Sequence, residues 1–436
     1  MSIKLKDILG LNARNHEYLS RYNSAGAKRI ADSKLLTKST LQKHELPVPK
    51  LYRVFRKESD LDKFDFTRLP ESFVVKPNKG LGGEGIIVVE KPGTFAGEWI
   101  TAQGDTIKIN DLKLHILDIL AGRFSMDNLR DFAFIEERIR IHPAFAKYAY
   151  HGTPDIGILV FNKVPVMAFL RLPTKESGGR ANMFQGAIAC GIDVAAGATT
   201  YAAYYYSYVT YYPGTRRRLR GLTIPEWDLV LDIAIRAAAA VGLGYMRADI
   251  VLQPSLKHPG KTLPKVLEVN AQPGLKIQLA NRAGLKRRLE RVEGLEIDTQ
   301  EKGIKVAKAL FADRSLAHLG KTLKPVTVFE TVEVVNQLGE KVAIKAKVDT
   351  GAYRTSIDKN LAEKLGLLRT DNILLHKQFE SALGAHTRDV IAISYYLNGR
   401  KIDTTASVID RSNLKRPMLV GRQDLKGFVI EFSQKI

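Results

Sequence analysis

Two strand-length apolar runs, MRADIVL from Met246 and KVLEVN ending at Asn270, carry charged and amide side chains at alternate positions. Residues two apart on a strand share a face, so Arg247 points with Asp249, and Glu268 with Asn270. Few folds tolerate polar groups inside buried strands unless those groups meet one another or a ligand. Asp249, Glu268 and Asn270 supply two carboxylates and an amide oxygen, hard donors suited to Mg²⁺ or Mn²⁺ completed by phosphate and water. An ion pair at the strand ends is the simpler reading of the same residues.

Upstream, FVVKPNKGLGGEG (73–85) places Lys76 at a strand end and Lys79 in a loop with Gly80, Gly82, Gly83 and Gly85. Glycine lets backbone N–H groups close on an anion and lysine adds charge, so the loop suits phosphate; a plain hairpin turn is the other reading. It is neither a Walker A sequence nor GxGxxG at a helix start. Ile30, Leu35, Leu36 and Leu41 predict a helix over 26–44, stopped by LPVP. Strands are expected at 50–56, 73–76, 86–90 and 132–141, a helix at 107–120, and a hairpin over 155–172 turning at Asn162 to Val164. A helix at 226–241 ends at Gly242 and Gly244, another covers 300–318, and 321–325 reads as a linker to a region of short strands.

At 436 residues the chain exceeds one ordinary core, and two or three domains are expected. Hydrophobic residues at 45% with 26% charged exclude disorder. No apolar run approaches the roughly 20 residues of a membrane span, and MSIKLKDILGLNARNHEY lacks an export-signal core, so a cytoplasmic protein without a membrane partner is expected. With 67 basic and 46 acidic residues the net charge is +21, and residues 321–436, with 19 basic and 13 acidic, share the bias. That charge attracts nucleic acid, acidic peptides or nucleotides without choosing among them. The single cysteine, Cys190, excludes an internal disulfide, and nine scattered histidines without HExxH give zinc chemistry no support. His151, beside Gly152 and Asp155, reads as a loop residue.

Over 26–285 the chain resembles the ATP-grasp ligases, in particular the branch of ribosomal-protein-modifying glutamate ligases. DSKLLTK with ELPVP resembles the family's opening segment, FVVKP with the glycine loop its phosphate grip, and EVNAQPGL its metal-binding signature. The resemblance implies ATP with Mg²⁺ (or Mn²⁺) as cofactors. Lys34 and Lys76 would then hold phosphate and adenine groups, Lys79 to Gly85 would cover the phosphates, and Glu137 with neighbouring Glu136 would bind adenosine. Asp155 would contact the nucleotide side, Arg171, Arg180 and Asn182 would grip the transferring phosphate, and Asp249, Glu268 and Asn270 would be the metal ligands. A carboxylate would attack the γ-phosphorus once cations neutralise both partners, and an amine would displace phosphate from the acyl phosphate.

Only about 33 residues precede Lys34, where many relatives carry a full domain that helps form the substrate cleft. YAAYYYSYVTYYPGTRRRLR (201–220) combines seven tyrosines with four arginines. It reads as a tyrosine-packed strand pair with a solvated basic turn, or as a surface that stacks bases and grips phosphate. The basic run Arg282, Lys286, Arg287, Arg288 and Arg291 reads as a solvated helix surface.

VAIKAKVDTGAYRTSI (342–357) runs a strand into Asp349-Thr350-Gly351, and RPMLVGRQDLKGFVIEF (416–432) repeats a buried strand leading to Gly421. This resembles the retropepsin-like aspartic proteases. One Asp-Thr-Gly implies a homodimer, in which a two-fold axis would pair Asp349 with its mate and let one proton be shared; a peptide-binding or dimerising domain is the alternative. The expected fold class is α+β: an ATP-grasp fold over 1–320 with a short N-terminal helical segment, then a small all-β, closed-barrel, retropepsin-like domain over 321–436. The expected activity is an ADP-forming carboxylate–amine ligase adding an amino acid such as glutamate to a peptide or small acidic metabolite. The alternatives are a dimeric aspartic peptidase regulated by the first domain, or a nucleotide-sensing RNA- or ribosome-binding protein, which is not favoured.

Overall fold

The computed structural model describes residues 4–80, 82–125, 128–256, 258–312, 324–381 and 384–431. The chain folds as two compact units, Met1–Ile192 with Gly197–Glu293, and Asp193–Ala196 with Gly294–Ile436. No helix among the described residues is long and apolar enough to cross a membrane.

The first unit has two antiparallel sheets. One holds β1 (Leu51–Phe55), β2 (Phe73–Pro77), β3 (Ile87–Pro92), β4 (Glu98–Thr101), β5 (Thr106–Lys108) and β6 (Ala133–Glu137), in the order β1-β6-β2-β3-β4-β5. Helix Ile109–Leu120 covers one face with Leu112, Ile116 and Ile119 against Phe73, Val75 and Ile135. The other holds β7 (Asp155–Phe161), β8 (Val164–Leu172), β9 (Ile188–Asp193), β10 (Ala198–Tyr204), β11 (Ser207–Tyr208), β12 (Tyr245–Pro254) and β13 (Thr262–Asn270), in the order β11-β10-β9-β8-β7-β12-β13. Helix Trp227–Val241 packs on it and stops at Gly242, which takes the left-handed conformation (φ 76°) that ends a helix cheaply. The predicted 155–172 hairpin forms, and its turn puts Asn162 and Lys163 at positive φ.

The single helix expected over 26–44 is two, Ala25–Ala31 and Lys34–Lys43. Ser24 and Ser33 each cap one by accepting a backbone N–H, and a capped start at Ser33 competes with continuing the first helix. The strand expected over 132–141 is paired only to Glu137. The last predicted helix covers Gln300–Phe311; its 313–318 portion lies outside the described residues, as do 321–323 of the predicted linker and Leu81 of the glycine loop.

In the second unit β15 (Phe329–Val335), β16 (Lys341–Asp349), β21 (Met418–Gly421), β17 (Thr355–Asp358), β20 (Arg400–Ile409) and β19 (Gly384–Leu397) pair in that order, and β15 pairs again with β19, closing a six-stranded barrel. Strand β18 (Ile373–Ser381) extends from β19, and β14 (Lys324–Val326) lies parallel to β22 (Phe428–Ile430). Alternation fills the barrel: Val332, Val334, Ile344, Ala346 and Val348 face in while Glu333, Lys345 and Lys347 face out. Buried Asp424 is satisfied by three hydroxyls, from Thr355, Tyr395 and Thr404.

In the first unit buried Asn23 joins the strands that carry the acidic residues. Its Nδ2 donates to Tyr245 O (2.7 Å) and Ala271 O (3.0 Å), and its Oδ1 accepts from Tyr245 N (3.0 Å). Replacing Asn23 with Ala strands these backbone groups, each costing about 1–3 kcal/mol. We expect a loss of at least ~3 kcal/mol in urea unfolding, and an unchanged midpoint would refute the role.

Candidate functional site

The start of helix Lys34–Lys43 is pinned to the end of β2. Asn78 Oδ1 accepts from Ser33 Oγ (3.0 Å) and from Leu35 N (2.9 Å), which brings Lys34 beside Lys76. Lys34 Nζ donates to Gly80 O (2.8 Å). Burial pushes the Lys34 ammonium down, Glu268 pulls it up and Lys76 pushes it down again, leaving it below its ordinary value. One helical turn on, Lys38 Nζ reaches Glu136 Oε2 (2.8 Å), and Lys76 Nζ reaches Glu136 Oε1 (2.5 Å). Burial pushes the Glu136 carboxyl up, but Lys76 and Lys38 outweigh it and hold the group below the usual carboxylate range. Glu137 accepts from Lys50 N (3.0 Å), Gln253 Nε2 (3.1 Å) and Lys265 Nζ (2.5 Å).

Register assembles the second cluster. Asp155 faces Arg171 across β7 and β8, Asp249 faces Glu268, and Arg247 faces Asn270 across β12 and β13. Arg171 grips Asp155 with two bonds of 2.6 Å and also reaches Asp249 Oδ2 (2.9 Å). Arg247 grips Asp249 with two bonds, 2.6 and 2.8 Å. Asn270 Nδ2 donates to Asp249 Oδ2 (3.0 Å) and Glu268 Oε1 (3.2 Å). Burial pushes Asp155 up, Arg171 pulls it down and the charge of Asp249 pushes it up again, to about 7. Asp249 lies well below its usual range because Arg171 and Arg247 outweigh its burial. The Phe169 ring lies within cation–π reach of both guanidiniums, 5.4 Å from Arg171 and 5.6 Å from Arg247.

Gly82 and Gly83 of the loop after β2 sit at φ 63° and 82°, a region that disfavours side chains. This loop meets the one carrying Arg180 and Asn182: Asn182 Nδ2 donates to Gly82 O (3.4 Å), and a Cβ on Gly83 would lie 3.6 Å from Arg180 Cδ. A cleft of about 520 Å³ is lined by Lys34, Lys76, Gly80, Gly82, Gly83, Glu136, Glu137, Asp155, Arg171, Arg180, Asn182, Asp249, Glu268 and Asn270. Lys79 and Gly85 are not in its wall: the Lys79 side chain is exposed while its N–H donates to Asp131 Oδ2 (2.7 Å), and Gly85 O meets His115 Nε2 (2.8 Å). His151, read as a loop residue, does line the cleft.

The wall suits a nucleoside triphosphate, with Val74, Ile86, Val88, Phe134 and Leu267 as an apolar part and Lys34, Lys76 and Arg180 as cations. For a divalent ion, Glu268 and Asn270 offer hard oxygen donors, whereas both oxygens of Asp249 are bound by guanidinium groups. Lys38, Lys265 and Lys276 lie at or beside the site without having been singled out from sequence. Lys38 is four residues from Lys34 on one helix, a spacing that could have flagged it.

The tyrosine-arginine segment forms β10 and a short β11 hairpin, then a loop. Arg217 donates to Lys147 O (2.6 Å), and Arg220 and Arg282 lie over the Tyr201 ring at 5.7 and 4.9 Å. In the second unit Asp349 ends β16 opposite Gly421, and its Oδ1 accepts from Gly351 N (2.9 Å) and Ala352 N (3.2 Å).

Changing Glu136 to Gln removes the negative charge between buried Lys38 and partly buried Lys76, and breaking such a cluster costs about 3–5 kcal/mol. Because the folded-state pKa of Glu136 is depressed, its contribution is present above the unfolded value of about 4.3 and fades as pH falls through the folded value. Urea unfolding across pH 3–8 is therefore expected to separate wild type and variant fully at neutral pH and to bring them together in acid. A pH-independent difference would refute the charge role.

No curated protein matches this chain. Among similar solved structures, the PsnB ATP-grasp ligase complexed with a phosphomimetic variant of minimal precursor, Mg and ADP is 16% identical, covering 62% of this chain and 60% of that one (TM-score 0.32). The D-alanine-D-alanine ligase from Coxiella burnetii is 15% identical, covering 62% and 58% (TM-score 0.33). The biotin carboxylase of Campylobacter jejuni, in complex with β-γ-ATP, is 14% identical, covering 64% and 49% (TM-score 0.37). This chain thus spans about three fifths or less of the length of each. The family model described as sugar-transfer associated ATP-grasp matches residues 13–294, which hold both sheets and every residue of the cleft, and the chain belongs to the ATP-grasp family.

Proposed function

We propose that the cleft binds ATP and Mg²⁺ and joins a carboxylate to an amine, releasing ADP and phosphate. The observation that carries this is the convergence, in one cleft, of Lys34, Lys76, Arg171, Arg180, the glycine loop and the oxygens of Glu268 and Asn270. ATP-grasp enzymes use ATP and Mg²⁺. In this reading Lys34 and Lys76 take phosphate oxygens, Glu136 keeps Lys76 extended, and the backbone of Gly80, Gly82 and Gly83 covers the phosphates, with Lys79 outside the wall. Glu137 binds adenosine. Glu268 and Asn270 hold the divalent ion, which would neutralise phosphate charge and so ease nucleophilic approach. Asp155 and Asp249 hold Arg171 in place, while Arg171, Arg180 and Asn182 grip the phosphoryl group as it moves.

The substrate carboxylate oxygen attacks the γ-phosphorus, the bond to the β-phosphate oxygen breaks and ADP leaves. The amine nitrogen then attacks the acyl carbon, phosphate departs and the nitrogen loses a proton. Positioned cations lower both barriers, and no protein nucleophile is required. An amino acid such as glutamate, joined to a peptide or small acidic metabolite, is the proposed substrate class. ADP release on mixing the chain with ATP, Mg²⁺ and paired acids and amines is the test. Glu268→Gln is expected to lower turnover at least 100-fold, an effect partly reversed by raised Mg²⁺. Nucleotide binding without turnover for any pair would overturn the reading.

A second activity is proposed for the barrel, supported by the Asp-Thr-Gly turn at the end of β16 beside Gly421. Asp349 would act there as one half of an aspartic dyad completed by a second copy. The proposed modules, 1–320 and 321–436, are not the two compact units, which part between Glu293 and Gly294 and leave helix Gln300–Phe311 with the second. Cleavage of casein peptides, lost in Asp349→Asn, with a dimer in sedimentation, is the expected result. A monomer that cleaves nothing refutes it.

A further inference from the structure

The chain leaves β13 and enters helix Ile277–Asn281 through Ala271–Lys276, a turn held by the N-terminal segment. Asn23 donates to Ala271 O, and Arg14 Nη1 donates to Pro273 O (3.1 Å). Gln278 closes the other flank, accepting from Leu9 N (2.9 Å) and donating to Leu9 O (3.1 Å). The turn is therefore fixed before any ligand arrives, which is what a precise contact requires.

Lys276 stands at the end of this turn. Its ammonium lies 3.4 Å from the centroid of the Phe184 ring and 5.6 Å from that of Tyr206. The two rings are 76% and 87% exposed, so they are not placed there by packing into a core. Phe184 and Lys276 line the same cleft as Arg180, Glu268 and Asn270. Among the described residues no carboxylate lies within 4.0 Å of the Lys276 ammonium, unlike Lys38 and Lys76, which share Glu136. Burial pushes this ammonium down, as expected of a cation that has lost water without gaining an anion. A fixed, partly dehydrated cation between aromatic faces at a cleft wall is arranged to receive an anion whose hydrocarbon stem rests on the rings.

We propose that Lys276, flanked by Phe184 and Tyr206, is a specificity residue that binds a carboxylate of the non-nucleotide substrate other than the reacting group, so that the enzyme selects acidic amino acids or peptides ending in one. This rests on the ligase reading above and names its substrate class.

The test uses the full chain with Mg²⁺ and four probes, L-glutamate, L-glutamine, L-aspartate and L-asparagine. Calorimetry with the non-hydrolysable ATP analogue AMPPNP gives their binding, and ADP release with ATP gives turnover in probe pairs and with each probe as acid or amine. At least a tenfold preference for an acid over its amide is expected. Lys276→Met abolishes that preference, Lys276→Arg keeps most of it, and AMPPNP affinity changes less than twofold in both. Turnover that treats acid and amide alike, or a preference that survives in Lys276→Met, overturns this assignment and leaves the ligase reading standing. AMPPNP binding with no ADP release from any combination overturns the ligase reading, and this assignment with it.

Discussion

Arg171 grips one carboxylate with two hydrogen bonds and a second with a third, and the geometry of the cleft follows from it. Asp155, Arg171, Asp249 and Arg247 sit on three adjacent strands, two carboxyl groups facing two guanidiniums. Charges this deeply buried are tolerated only when paired with good geometry, and losing one member leaves the others uncompensated. Asn270 hangs from Asp249, and Glu268 from Asn270, so the cluster sets the position of both outward-facing oxygen donors. Gly157 is part of the same design: a Cβ there would lie 2.1 Å from the Phe169 ring that both guanidiniums approach.

The first sheet contributes a cluster of opposite balance. Glu136 has two ammonium partners, Lys38 and Lys76, and Lys34 lies close by, donating to a backbone carbonyl, so this side of the cleft carries excess positive charge. An excess of partly buried cations is unfavourable alone and becomes favourable when a polyanion enters. The two clusters divide the work, the arginine–carboxyl one fixing geometry and the lysine-rich one supplying attraction. The N-terminal segment adds a third constraint through Arg14, Asn23 and Leu9, which hold the turn leading away from Asn270.

Much of the site was legible because strands alternate. Spacing of two residues placed Glu268 with Asn270 and Arg247 with Asp249, and the antiparallel register brings those pairs face to face. The glycine run between Lys76 and Gly85 announced a loop with unusual backbone angles, and Gly82 and Gly83 adopt them. Lys38 was hidden because a lysine on an exposed-looking helix face carries no mark of the glutamate it will meet nearly 100 residues later. The aromatic residues around Lys276 were hidden similarly: Phe184, Tyr206 and Lys276 come from three connections far apart in the chain. In the second unit the expected short strands are in part long, β19 running 14 residues and β20 10, and closure depends on Glu333 and Val334 pairing with Tyr396 and Tyr395.

Composition and local pattern by themselves determined the element types, the basic character and which residues share a strand face, because these depend on neighbours within a few positions. Tertiary structure alone decided how each charge is used. Asp249 turns its oxygens to guanidiniums, Glu136 to two lysines, and Lys276 to aromatic faces. A charged side chain in a protein interior takes its partner from whatever the fold brings within a few ångströms, and that neighbourhood comes from strand register and loop closure over long chain separations.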